Sequence, residues 1–283
     1  MAAGSAYNKG GLPMEWKDYL KQIDAAYSLG PEGGLERLRS LDAACRDEYG
    51  PDSREYASMR NELGAFYKGL GRFDEAEACF RNAMELFEAH GGRGDAACAT
   101  ALNNLAGTHR LTRRFDEAEA EFSECIRLYA ATVGENHVLY AAALNNLSLV
   151  YLDQEKPEQA AGLQERAAKI LKGLPECRDE LCTSLSNLGA LYQRMGRLDA
   201  AEALLTEALR MLREELGTDT PHYHETLNTL GVVCYLAGRY AEAEEHFAAA
   251  AAAAEAMYGP AHYEAKTARE HAALARKQRE AAT

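Results

Sequence analysis

The hexapeptide FDEAEA at Phe73–Ala78 returns 42 residues later at Phe115–Ala120. A fixed period of this size marks stacked supersecondary units, none of which buries its apolar face alone. Weaker echoes follow as PEQAAG at Pro157, LDAAEA at Leu198 and YAEAEE at Tyr240, in steps of 42, 41 and 42. A second series leads the first by a constant offset: NELGAFY from Asn61, NNLAGTH from Asn103, NNLSLVY from Asn145, SNLGALY from Ser186 and NTLGVVC from Asn228. Each period therefore holds two motifs joined by a short turn.

Both motifs read as helix. Between Ala99 and Gly134, Leu102, Leu105, Ala106 and His109 recur at i, i+3, i+4 and i+7, one face of a helix A. Thr112-Arg113-Arg114 breaks that pattern, and Phe115, Ala118, Phe122, Cys125 and Ile126 open a second face on a helix B. Asp116 and Glu117 fall in the first turn of helix B, where the helix dipole favours negative charge. Gly71, Gly196 and Gly238 stand where the C-terminus of helix A calls for positive φ, and Pro157 suits the first turn of a helix. The small Ala118 and Ala201 are expected where helix B crosses helix A closely.

This pattern resembles the tetratricopeptide repeat. Leu63-Gly64, Leu188-Gly189 and Leu230-Gly231 match the family's Leu-Gly of helix A. Tyr67, Tyr151 and Tyr192 match its tyrosine, and Ala76, Ala118, Ala160, Ala201 and Ala243 its small residue of helix B. The 42-residue period is similar to the longer repeat class of kinesin light chains. The resemblance implies an all-α fold, a right-handed superhelical α-solenoid of stacked helix-turn-helix repeats. Its expected organisation is a flexible tail over residues 1–12 and a single solenoid over 13–283. Within the solenoid we expect a degenerate helix pair over 13–50, five repeats over about 53–259 and a capping helix over 260–281. In the degenerate pair, Trp16, Leu20, Ile23 and Tyr27 mark one face and Leu35, Leu38, Leu41 and Cys45 the other. Arg269, Glu270 and His271 replace apolar and amide positions in the last helix, as a solenoid cap requires, and Ala248–Ala254 gives it a flat surface to approach.

Composition narrows the partners. A net charge of −13 opposes general binding to nucleic acid or acidic membranes. No apolar run is long enough to span a bilayer, and MAAGSAYNKGG has no secretory h-region. The 7 cysteines are odd in number and lack C-x-x-C spacing, which predicts a reduced, cytoplasmic protein; Cys177 and Cys182 are near enough in sequence to be weighed as a disulfide and set aside. Motifs for nucleotide, metalloprotease or serine hydrolase chemistry are absent. Gly91–Gly94 reads as a connector rather than a phosphate cradle. His222-x-His224 places its imidazoles on different faces of a helix, so no metal, cofactor or catalytic residue is expected.

Candidate binding residues lie on helix A opposite its buried stripe. With Leu105 as position 7, positions 4, 7, 8 and 11 form the expected buried arc and positions 2, 5, 6, 9, 12 and 13 the opposite one. Resemblance implies that the second arc lines a concave groove. Its amides are Asn61, Asn103, Asn145 and Asn228 at position 5, and Asn104, Asn146 and Asn187 at position 6. Lys68, Arg110, Gln193 and Tyr235 occupy position 12, and Leu149 adds an apolar contact. Asn is a mediocre helix former, so these matched amides need a reason. Side-chain amides match a peptide backbone in donors and acceptors, which suits a ladder holding an extended protein segment. They can equally bond neighbouring helices across repeat seams.

Two functions follow. The first is a non-catalytic, monomeric adaptor that binds a protein or peptide partner in the helix-A groove, with an acidic ligand end near Lys68 and Arg110 and an apolar anchor at the other end, toward Leu149, Leu152, Val232 and Tyr235. The alternative is a self-assembly module using its caps or convex face, with the amides as interface glue.

Overall fold

The computed structural model describes residues 14–92 and 94–282, and among them every regular element is helical. The tail expected over residues 1–12 lies outside the described residues. The chain divides into two compact units, meeting in sequence at Glu135 and Asn136. Each is an all-α stack of helix pairs.

The first unit holds α1 (Trp16–Tyr27), α2 (Gly30–Tyr49), α3 (Arg54–Gly69), α4 (Phe73–Gly91), α5 (Ala96–Leu111) and α6 (Phe115–Thr132). The second holds α7 (Val138–Asp153), α8 (Pro157–Lys172), α9 (Arg178–Arg194), α10 (Leu198–Met211), α11 (Pro221–Leu236), α12 (Tyr240–Tyr258) and α13 (Tyr263–Ala281). A single π-helical turn, Leu212–Leu216, extends α10. The odd-numbered helices α3 to α11 are helix A of the five repeats, and the even-numbered α4 to α12 are helix B.

One turn joins A to B in all five repeats. The backbone N–H of Arg72, Arg114, Lys156, Arg197 and Arg239 donates five residues back, to the carbonyls of Tyr67, His109, Tyr151, Tyr192 and Cys234, at 2.8–2.9 Å. This closure needs a left-handed residue just before the donor. Gly71, Gly196 and Gly238 supply it at φ 71°, 74° and 77°, while Arg113 and Glu155 adopt the same conformation at φ 63° and 59°. The basic side chain at the turn's end then stacks on the helix-A tyrosine: Arg197 lies 3.8 Å from the Tyr192 ring centroid and Arg72 4.9 Å from that of Tyr67.

Helix A is buried on more of its circumference than the 4-7-8-11 arc. Positions 3 and 10 are also buried, as Met59 and Phe66, Ala101 and Thr108, Ala143 and Val150, Ser184 and Leu191, and Thr226 and Val233. The reason is packing on two flanks: α5 contacts both α4 and α6, and α9 both α8 and α10. What stays open is a strip, the expected opposite arc: none of positions 2, 5, 6, 9, 12 and 13 is buried in any of the five repeats.

Close A–B approach rests on a paired position. A Cβ on Gly64 would stand 2.8 Å from the Phe80 ring, one on Gly189 2.6 Å from Leu205 Cγ, and one on Gly231 2.7 Å from the Phe247 ring. Ala118 and Ala201 are fully buried.

At the N-terminus the inward face of α1 is Tyr19, Ile23 and Ala26, not the expected Trp16-Leu20-Ile23-Tyr27 stripe. Leu20 and Tyr27 are 44% and 48% exposed. Tyr19 turns the helix, donating its hydroxyl to Glu48 at 2.8 Å. In the second unit, Ala250, Ala251 and Ala254 of α12 and Ala265 and Ala268 of α13 are buried where the two helices pack. Arg276 and Arg279 of α13 both reach Glu244. All seven cysteines are buried free thiols, Cys177 and Cys182 included. No helix among the described residues is long and apolar enough to cross a membrane.

Candidate functional site

In the first unit the open strip is a cross-seam network. Asn104 donates through Nδ2 to Asn61 Oδ1 at 3.1 Å, and its own Oδ1 accepts from Lys68 Nζ at 3.2 Å. Asn61 in turn donates to Glu62 Oε1 at 3.3 Å. The α3–α5 seam is therefore bridged twice through one amide. Burial, with Arg110 nearby, pushes the Lys68 ammonium below the usual lysine range. Burial raises the Glu62 carboxyl, against its hydrogen bond from Asn61, and the charge of Asp24 adds to the rise. Asn103 and Arg110 are half-buried on the same strip.

The second unit is different. Asn145, Asn146 and Leu149 of α7 and Asn187 of α9 line one cavity of about 380 Å³ between α7, α8 and α9. The side-chain amides of Asn145 and Asn187 have no hydrogen-bond partner among the described residues. Val138, Ala142 and Leu171 supply apolar wall, and Asp179, Glu180 and Thr183 a polar rim. Asn228 sits apart, on a smaller cavity of about 200 Å³ between α11 and α13, where its Oδ1 meets His271 Nδ1 at 3.1 Å. Gln193 is half-buried on α9, and Tyr235 packs edge-on to Tyr240 with ring centroids 5.3 Å apart. The twelve candidates thus resolve into the linked set Asn61–Lys68–Asn104, the cavity set Asn145–Asn146–Leu149–Asn187, and five residues outside both.

Sequence reasoning missed the cavity's floor. Gln164 of α8 is 2% exposed and lines the cavity. It occupies the helix-B position that holds Phe80, Phe122, Leu205 and Phe247 in the other repeats, at the same 41- or 42-residue spacing. That column, read down the repeats, is the signal that would have found it. Opposite it, Ser148 replaces the Gly or Ala of Gly64, Ala106, Gly189 and Gly231. Gln164 Nε2 donates to Ser148 Oγ at 3.0 Å, and Ser148 Oγ donates to the Asn145 carbonyl at 2.6 Å.

His222 is exposed and His224 buried; the first lies 3.7 Å from Glu225 and the second 3.3 Å from Glu264, so the two imidazoles face different partners. Donor atoms of Glu202, Cys234 and Glu242 do gather within 4.8 Å. Arg239 already lies between the two carboxylates, at 2.6 Å from Glu202 and 3.1 Å from Glu242, which gives that cluster its cation.

Models of the tetratricopeptide repeat match residues 57–94, 97–173 and 180–256, together more than half of the chain. Protein kinesin light chain-related 1 of Arabidopsis thaliana is 27% identical over 194 residues, 68% of this chain and 32% of the relative. The chain thus spans about a third of that curated relative's length. Among solved structures, BtubC (BKLC) from P. vanneervenii superposes with a TM-score of 0.65 at 21% identity, covering 85% of this chain and 92% of its own. A Rap protein complexed with competence and sporulation factor gives 0.67 at 13% identity, covering 96% and 77%. At such identities these two likenesses speak for the fold alone. With the helix pairs, their shared turn and the matched repeats in hand, the chain belongs to the tetratricopeptide repeat family.

Proposed function

We propose that this protein is a non-catalytic adaptor, a repeat domain spanning residues 13–283 that holds an extended segment of a protein partner on its helix-A face. The observation that carries the reading is the pair of unpartnered, accessible amides, Asn145 and Asn187, on a cavity with apolar walls. An unbonded amide in a helix interior does nothing for the fold and is ready to bond a peptide backbone. The Rap protein complexed with competence and sporulation factor shares the fold and holds a ligand, which supports the same use here. A net charge of −13 speaks for protein partners over nucleic acid or acidic membrane, and seven free cysteines suit a reducing, cytoplasmic setting.

The matched amides divide by role in this reading. Asn104 and Asn61 join helices, as the seam alternative requires, and Asn145 and Asn187 bind. Lys68 and Arg110 favour an acidic stretch of ligand on the first unit. The test is affinity capture from native lysate with wild type, Asn145→Ala/Asn187→Ala and Asn104→Ala, compared by mass spectrometry. Partners lost from the double variant, with its melting temperature unchanged, support the reading; an identical partner set in all three refutes it. Light scattering over a concentration series checks the monomer against the self-assembly alternative.

A further inference from the structure

Repeat 3 departs from its neighbours at one paired position, and the departure has a chemical direction. Elsewhere the pair is small on helix A and large and apolar on helix B; here it is Ser148 and Gln164. The Ser148 hydroxyl proton is committed to the Asn145 carbonyl, so its oxygen accepts from Gln164 Nε2. That fixes which way the amide points. Gln164 Oε1 is left buried with no partner among the described residues. A desolvated acceptor of this kind costs about 1–3 kcal/mol, a burden the apolar pair of the other repeats avoids.

The surroundings define what would satisfy it. The rim carries two exposed carboxylates, Asp179 and Glu180, and the cavity lining contains no basic side chain. The nearest arginine in sequence, Arg178, is held 2.7 Å from Glu215. The walls, Val138, Ala142, Leu149 and Leu171, suit an aliphatic stem. The unbonded amides of Asn145 and Asn187 add acceptors at the mouth.

We infer that this cavity is a specificity pocket for a basic side chain of the partner segment, best filled by arginine. The guanidinium's fork of N–H donors meets Gln164 Oε1 and the amide oxygens, its stem packs on the leucines, and Asp179 and Glu180 balance its charge. Lysine offers fewer donors and fits second. The inference rests on the adaptor reading and adds to it the chemistry of one anchor residue. A ligand side chain is chosen by the partner it would leave unpaired if absent, which gives a buried acceptor more discriminating power than an apolar wall.

The test uses the full chain and four degenerate nonapeptide libraries, acetylated and amidated, with the central residue fixed as Arg, Lys, Leu or Glu. Fluorescence anisotropy should show the Arg library binding at least about tenfold tighter than the Leu and Glu libraries, with Lys between. Ser148→Gly/Gln164→Phe restores the pair of the first and fifth repeats and should erase that preference, bringing the Arg and Lys libraries down to the level of Leu and Glu. Gln164→Leu copies the fourth repeat and serves the same purpose if the double variant does not fold. Equal binding of all four libraries, or an Arg preference that survives these substitutions, overturns the pocket and leaves the adaptor standing. Binding of none overturns both.

Discussion

The Ser148–Gln164 pair also makes a thermodynamic prediction that needs no ligand. Ser148→Gly removes the only partner that Gln164 Nε2 has among the described residues, so that it joins the already unpaired Oε1, and places Gly inside a helix. The first effect costs about 1–3 kcal/mol and the second about 0.5–1. Gln164→Phe alone gains about 1.5–3 kcal/mol from ring burial. It then drives the ring against the Ser148 Cβ, and the equivalent contact would be 2.7–2.8 Å in the first and fifth repeats. Overpacking of that kind costs about 1–3 kcal/mol, so the single change comes out near zero. Together the two substitutions remove the clash and the orphaned acceptor at once. The double variant should be more stable than wild type by about 1–3 kcal/mol, with a coupling between the sites of at least about 2 kcal/mol. Equilibrium urea unfolding followed by circular dichroism measures all four corners, and amide exchange in α7 and α8 locates the effect. Additivity within about 0.5 kcal/mol would refute the reasoning.

Three further outcomes are expected. Asn104→Ala should lower stability by about 0.5–1.5 kcal/mol or more, because it cuts two bonds across the α3–α5 seam; Asn145→Ala and Asn187→Ala should leave thermal melts unchanged, and equal losses in all three would contradict the division of roles. Arg113→Gly and Glu155→Gly should each stabilise by about 0.5–1 kcal/mol, since a left-handed residue with a Cβ costs about 1–2 and glycine returns part of that as entropy; a melt lowered by either change would count against the turn geometry. Burial lowers the pKa of His109, but its 2.7 Å bond to Glu121 and the charges of Glu121 and Glu77 outweigh that and the nearby Arg114, and the net shift is upward. A raised folded value means that His109 contributes stability fully below about pH 6.5 and loses it as pH rises through the folded value. The stability difference between wild type and His109→Phe should therefore fall as pH rises above about 6.5, and a flat difference would exclude the ion pair.

The helix pairs were legible because each repeat restates the same two periodicities, and five copies average out local exceptions such as Glu155-Lys156-Pro157. Even the turn at Arg113 and Glu155 was readable in principle: a 12-residue offset between motifs that holds with or without glycine requires one backbone path. The site was read only in part. Spacing places Asn104 and Asn145 at neighbouring positions of a common strip, but not the register between adjacent repeats, and that register decides which amide finds a partner. Positions 3 and 10 escaped because a one-helix view assigns one buried face, while an interior helix is flanked on two. Leu20 and Tyr27 were misplaced because Tyr19, with a hydroxyl aimed at Glu48, sets the rotation of α1. Gln164 was hidden by reading helix B along the chain instead of down the repeats.

The seven interior thiols have a use beyond packing. Cys45, Cys79, Cys98 and Cys125 report on the first unit, and Cys177, Cys182 and Cys234 on the second, all shielded from solvent in the folded chain. A thiol reagent can reach them only when the helices around them part. The rate of alkylation at each cysteine, read by peptide mass mapping, is thus a built-in clock for local opening in every helix pair except α7–α8, and needs no engineered label. Run with and without a bound segment, it would show which repeats a partner holds shut.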